Sequence, residues 1–310
     1  MRDILRGDAQ ALAVASTIKS VAPDIILLTG VDWDYHGIAF EELNNLFYEH
    51  GHGFSHVFSF EPNSGMRTGF DLDGDGRLGR ARDAQGFGYF PGSRGMVLFS
   101  NTKIVKAANY SALLWKDIPG ANLPVVDQEL FPSKDVYDVQ RLSSVGHWDL
   151  TLTNGLRLFA FSAGSPVFDG PEDRNGLRNH DEISFWNNHL NATSDKIVIL
   201  GNANLDPIDG EGRHSAIRDL LDHPMLQDAK PKSLGGAKAA EQGGANNRHQ
   251  GDPSLDTVDW TDDPGPGNLR VSYVIPDSRV TVIDAGVFWP VDNAQNDATR
   301  HKLVWVELQL

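Results

Sequence analysis

Carboxylates at alternate positions are the sharpest chemical signal in this chain: Asp71-Leu-Asp73-Gly-Asp75-Gly-Arg77. Alternation lets the side chains converge on one hard cation. The glycines permit the tight turn, and the Arg77 carbonyl would supply a further oxygen. In an EF-hand loop the twelfth position closes the shell with a carboxylate. Here that position is Arg82, which cannot ligate, and Asp83 follows it. The pattern predicts a structural Ca²⁺ loop of another kind on Asp71, Asp73, Asp75, the Arg77 carbonyl and Asp83; an ion-free Asp/Gly turn is the alternative. A second polar group, Leu200-Gly-Asn202-Ala-Asn204-Leu-Asp206-Pro207, ends an apolar run. Polar residues at the C-terminal edge of a strand are where α/β folds place their sites. A third group, Asp169 to Asp181, holds Arg174, Asn175, Arg178, Asn179 and His180 ahead of a helical stretch. At a helix N-terminus these would hold an anion; otherwise the loop pairs its own charges.

The elements that must position these groups follow from apolar spacing. Leu12, Val14, Ala15, Ile18 and Val21 recur at helical spacing over Gln10 to Val21, and Pro23-Asp24 ends that helix. Ile25 to Leu28 is a short apolar run, read as a buried strand, and a helix follows around Phe40 to Tyr48. Strands are predicted over Arg94–Ser100, Leu156–Phe161, Lys196–Leu200, Arg270–Ile275, Val280–Ile283 and Leu303–Leu308, with helices over Asp181–Leu190 and Ser215–Leu221. Short buried strands mixed with helices make a layered α/β sandwich. Lys230 to Gly267, rich in Gly, Ala, Asn, Asp and Pro with no apolar period, is expected to be one long surface loop within a single domain of residues 1–310.

Composition bounds the chemistry. The 310 residues are 40% hydrophobic and 22% charged, an ordinary globular balance. A net charge of −15, with no Lys/Arg run, disfavours nucleic acid as partner. The absence of cysteine excludes disulfides, zinc thiolates, iron–sulfur clusters and thiol nucleophiles. No apolar run reaches the roughly 18 residues of a membrane span. The segment Met1 to Asp8 has no apolar stretch of a signal peptide.

Several pieces stand in a known order. Pro23-Asp24-Ile-Ile-Leu-Leu28, Ser162-Ala-Gly-Ser-Pro-Val-Phe-Asp-Gly170, Gly201-Asn-Ala-Asn204, Arg270-Val-Ser-Tyr-Val-Ile-Pro276 and Arg300-His301 resemble the endonuclease/exonuclease/phosphatase superfamily over nearly the whole chain. The acidic motif, Phe168-Asp-Gly-Pro-Glu-Asp-Arg-Asn175 and Gly286-Val-Phe-Trp-Pro290 look like a bacterial branch, whose relatives are often exported. The resemblance implies a deoxyribonuclease I-like, four-layered α/β (α+β) sandwich: two packed mixed sheets flanked by helices. It also implies phosphoester hydrolysis by a water activated on Mg²⁺ or Mn²⁺, with a His oriented by an Asp as general base or acid.

Carried over residue by residue, most of that machinery is replaced. The family's metal-binding Glu falls on Gly30, its catalytic His on Ser162 and the Asp of its Gly-Asp-x-Asn motif on Asn202, while Asn204 is kept. The Asp of its Asp-Tyr-Val run falls on Ser272, and the Asp of its terminal Asp-His pair on Arg300, with His301 kept. The family's early strand, ending in a metal-proximal Asn, is not found in these residues; truncation ahead of Met1 and loss of the strand are the two readings. The resemblance thus implies a degenerate or repurposed member that binds a small or anionic ligand. A working phosphoesterase whose metal has moved to Asp32, Asp34, Asp206 or Asp181 is the alternative.

Overall fold

The computed structural model describes residues 4, 6–190, 194–291 and 299–310. Its strands are β1 (Ile25–Val31), β2 (His56–Phe58), β3 (Gly95–Ser100), β4 (Ile104–Asn109), β5 (Val125–Val126), β6 (Glu129–Leu130), β7 (Gly146–Leu152), β8 (Arg157–Ser162), β9 (Ile197–Asn202), β10 (Val258–Asp259), β11 (Asn268–Leu269), β12 (Ser272–Pro276), β13 (Thr281–Phe288) and β14 (Leu303–Gln309). The helices are α1 (Ala9–Val21), α2 (Ile38–Glu49), α3 (Arg174–Leu190), α4 (Ser215–Leu221) and α5 (Leu234–Ala239).

Alternation along the strands builds the layers. In β3, Val97 and Phe99 pack outward with Ala15 and Ile18 of α1 and Phe40, Leu43 and Phe47 of α2. Met96 and Leu98, on the other face, meet Trp148, Leu150, Leu158, Ala160, Val198 and Leu200. Those belong to a five-stranded sheet in the order β12-β9-β8-β7-β4. The far face of that sheet, Phe159, Phe161, Ile197 and Ile199, is covered by Ile183, Phe185 and Trp186 of α3 and Ile217 and Leu220 of α4. Because β3 is covered on both faces, its six residues are all buried and read as one apolar run. The result is the expected order helix, sheet, sheet, helix.

The two sheets differ. The five-stranded one is mixed, with β8 and β9 parallel and the other neighbours antiparallel. The second layer is antiparallel and comes in two pieces, β1-β3-β2 and the hairpin β13-β14. Residues Ile25–Val31 of β1 and Leu303–Leu308 of β14 line one cavity of about 3160 Å³, with Leu158, Val198, Leu200 and Val274 also on its wall.

Two expectations are corrected. Helix α3 begins at Arg174, not Asp181, because its first turns spend Arg, Asn and Gly on a face that packs on loops and so show little apolar period. Lys230 to Gly267 is not a plain surface loop. It contains α5, three 3₁₀ turns and β10, and it buries Ala245, Asn246, Asp256, Thr257 and Val258.

Candidate functional site

Strand register brings together positions that the family resemblance singles out. Ser162 of β8 lies beside Asn202 of β9, and Asn202 lies opposite Ser272 of β12. These three residues form one row at the same end of the sheet, a placement that follows from pairing and not from sequence distance. Gly30, Ser162, Asn202, Asn204, Ser272, Arg300 and His301 all line the cavity. Gly30 sits at a bulge in the β1–β3 ladder with φ +78°, in the left-handed region that only glycine adopts without strain. Nothing lies within 4 Å of where its Cβ would be.

The floor of this cleft is neutral and bonded to itself. Asn202 Nδ2 donates to Asn204 Oδ1 at 3.1 Å, and the Asn204 N–H donates to Asn202 Oδ1 at 3.1 Å. Asn204 Nδ2 donates to the Ala163 carbonyl at 2.8 Å. Asn204 holds φ 51°, a conformation its short amide tolerates. Ser272 Oγ lies 3.2 Å from His301 Nδ1, and the Trp260 ring stands edge-on to the imidazole at 5.7 Å. Burial, with the Lys302 charge alongside, pushes His301 down to about 4. The imidazole is neutral at pH 7, and among the described residues no carboxylate bonds it. A divalent cation at the family position would need anionic oxygens. Gly30, Asn202, Ser272 and Arg300 supply none, so these residues do not fit the Mg²⁺ or Mn²⁺ that the family implies.

The carboxylates nearest in sequence are committed elsewhere. Asp32 accepts from the Arg94 N–H, and Asp34 accepts from the N–H groups of His36 and Ala39, which holds it below the usual carboxylate range. Asp206 accepts from the N–H groups of Ile208, Asp209 and Arg270. Asp181 accepts from Trp115 Nε1 and from the backbone and side chain of Asn122.

The Asp169–Asp181 cluster divides in the fold. Arg178 is a clamp: its guanidinium donates to the carbonyls of Gln85, Arg141, Leu142 and Ser143. Asn179 ties the Gly164 and Ala203 carbonyls together, and His180 Nδ1 lies 3.0 Å from Asp181 Oδ1. Asn175 Nδ2 donates to the Val167 carbonyl, and its N–H is capped by Asp169. Arg174, Asn175 and Arg178 line the cavity. Glu182, which the sequence reading passes over, is fully buried and accepts from the N–H groups of Ser144 and Gly164. Burial pushes it up to about 7 against the pull of Arg178. Its signal was present: Arg174, Arg178 and Glu182 recur every four residues, one face of a helix.

In the acidic loop the structure gathers Asp71, Asp73 and Asp83, whose ligand oxygens lie within 4.8 Å of one another. Among the described residues this is the sole such group of three or more. Asp75 is turned onto the Arg77 N–H and is not one of the three. Leu72, fully buried in the core against the five-stranded sheet, anchors the loop, and Asp83 caps the Leu72 and Arg80 N–H groups. Asp73 Oδ1 is buried without a partner. Burial and the Asp75 charge push the Asp73 carboxyl above its usual range.

No curated protein matches this sequence. Among solved structures, the chain is similar to an endonuclease/exonuclease/phosphatase from Beutenbergia cavernae, at 16% identity and a TM-score of 0.57 over 97% of this chain. It spans 66% of that protein's length. A family protein from Bacteroides thetaiotaomicron aligns at 10% identity and TM-score 0.54, covering 99% of this chain and 92% of its own. A 3′-5′ exonuclease from Neisseria meningitidis aligns at 12% identity and TM-score 0.53, covering 98% and 96%. At such identities these likenesses establish the fold. The model of the Endonuclease/Exonuclease/phosphatase family matches residues 2–301, and the chain belongs to that family.

Proposed function

We propose that this chain is a family member whose metal-dependent phosphoesterase centre has been replaced, and whose cleft binds a small anionic ligand. The observation that carries this is the floor itself. Asn202, Asn204, Ser272 and His301 are neutral and hydrogen-bonded mainly to one another and to backbone. A metal-activated water needs anionic ligands beneath the cation and a base of suitable pKa beside it. Neither condition is met at these positions. Hydrolysis of p-nitrophenyl phosphate and bis(p-nitrophenyl) phosphate with Mg²⁺ or Mn²⁺ is the test. Rates at the buffer background are expected. Turnover that a chelator abolishes and that His301→Ala reduces would overturn the proposal and favour a relocated metal.

A second reading concerns the acidic loop, proposed as a Ca²⁺ site on Asp71, Asp73 and Asp83. Its support is the buried, partnerless Asp73 Oδ1 beside two further carboxylates. Arg82 Nη1 stands 3.8 Å from Asp73 Oδ2 and answers one carboxylate, and the remaining like charges repel unless a further cation intervenes. Calcium titration followed by calorimetry checks it, and heatless titrations would remove it.

A further inference from the structure

Strands β1 and β14 each pair along one edge only. β1 bonds β3, β14 bonds β13, and among the described residues neither has a second strand neighbour. Both nonetheless lie in the same layer. Ile26 and Leu28 of β1 pack with α1 and α2, as does Leu303 of β14. Ile25 and Leu27 of β1, and Leu308 of β14, pack on the five-stranded sheet. There β1 approaches β9 and β14 approaches β12, and β9 and β12 are adjacent strands. The two strands are thus facing edges of one interrupted sheet. The interruption leaves β1 open: only Ile26 of its seven residues is buried, although its partner β3 is buried throughout. Neither edge is guarded. Ile25–Leu28 and Leu303–Val306 carry no proline, lysine or bulge, the usual protections of an exposed edge.

The surroundings define what seats between them. Backbone donors and acceptors line both flanks, and an extended main chain answers both rows at once. A helix or a small ligand leaves at least one row unanswered. Below lie Leu158, Val198, Leu200 and Val274, and Ala11 and Val14 of α1 lie above, so both faces of an occupant meet apolar side chains. A strand covered on both faces reads as a continuous apolar run, as β3 does. The segments 1–5, 191–193 and 292–298 are too short or too polar to supply one. We propose that the space between β1 and β14 is a binding site for one extended, continuously apolar polypeptide strand from outside residues 1–310. Seated there, about six or seven residues would join the β1–β3 and β13–β14 ladders into one sheet by strand addition at both edges. The site depends neither on the neutral cleft floor nor on the acidic loop.

The probe is Gly-Met-Val-Leu-Phe-Ser, the sequence of β3, with two lysines at each end for solubility, because β3 is covered on both faces and already pairs with β1. It is offered free, and also joined ahead of Met1 by a Gly/Ser linker of about twelve residues, with a reach of about 20 Å, so that weak affinity does not mask seating. Hydrogen exchange of the full chain, read residue by residue by NMR, is the measurement. With free peptide at ten times its dissociation constant, the outward amides of both β1 and β14 should exchange about tenfold more slowly, and those of β7 at an unchanged rate. The peptide with prolines in place of Val and Leu, one for each flank, is as apolar and should protect neither strand. Slowing in β1 alone or β14 alone is ordinary addition to a single edge and overturns the site. A tethered probe that leaves both strands exchanging as before overturns it too, and equal protection by the proline peptide reduces it to unspecific apolar contact.

Discussion

On the floor of the cleft, amides answer amides; between Asp71 and Asp83, carboxylates face carboxylates. Both regions are polar, both line or border one cavity, and both hang on buried apolar anchors. They differ in what remains unsatisfied. Asn202 and Asn204 use their donors and acceptors on each other and on the Ala163 carbonyl. Asp73 Oδ1 and Arg174 Nε are left with nothing. Buried polar groups without partners are rare and demand a reason. A closed network of neutral groups offers a divalent cation no anionic ligand, whereas the carboxylates of the loop do.

The contrast can be broken first at its anchors. Leu72→Ala removes a fully buried side chain and should cost about 2–5 kcal/mol, read as a lower urea midpoint, and should also abolish Ca²⁺ uptake by the loop. An unchanged calcium isotherm in that variant would mean the loop holds its shape unaided. Next in size, Ca²⁺ at a hundredfold excess over its dissociation constant should stabilise the chain by about 2.7 kcal/mol through mass action. Asp73→Asn should erase that gain, while Asn202→Ala should keep it; thermal melts with and without chelator distinguish the two.

Acid sharpens the comparison further. His147, buried between Ser143 Oγ and the Glu182 carbonyl, is pushed down to about 4 by burial, as is His301. Each histidine is neutral in the fold and protonates more readily when unfolded. Each contribution is therefore whole above about pH 6.5 and is lost as pH falls toward 4, at about 1.4 kcal/mol per pH unit per group. Urea titrations at pH 6.5 and 5.5 should show a shallower pH dependence in His301→Gln than in the unaltered chain. Equal slopes would place the imidazole in solvent. Smallest of all, Asn204→Ala removes two hydrogen bonds at a φ of 51° and should cost about 1–2 kcal/mol. A loss of Ca²⁺ affinity in that variant would show the two regions to be one.

Much of the fold was legible. The run Arg94–Ser100 is a strand because a sheet covered on both faces requires continuous apolar residues; Ile25–Leu28 is a strand too, though mostly half-buried because it lines the cavity; and Ser215–Leu221 is a helix with the bounds its spacing suggests. The start of α3 was not, since Arg178 and Asn179 are polar residues that the helix buries against carbonyls of distant loops. Of the metal loop, the sequence named Asp71, Asp73, Asp75 and Asp83, and the fold gathers Asp71, Asp73 and Asp83 while Asp75 turns to the Arg77 N–H. A 3₁₀ turn carries Asp83 back onto the Leu72 N–H.

What the sequence determined by itself is local and compositional. It set the apolar periods that make strands and helices, the density of carboxylates in one short loop, and the residue types at Gly30, Ser162, Asn202 and Ser272, which carry no anion, and at Arg300, a cation. Each of these depends on neighbours within a few residues or on residue type alone. Only the tertiary structure decided which polar groups meet. Register set Ser162, Asn202 and Ser272 in one row, and packing of α3 buried Arg178 against the carbonyls of distant loops. Pairing between groups a hundred residues apart is fixed by strand register and helix packing, and those are properties of the whole core and not of any segment.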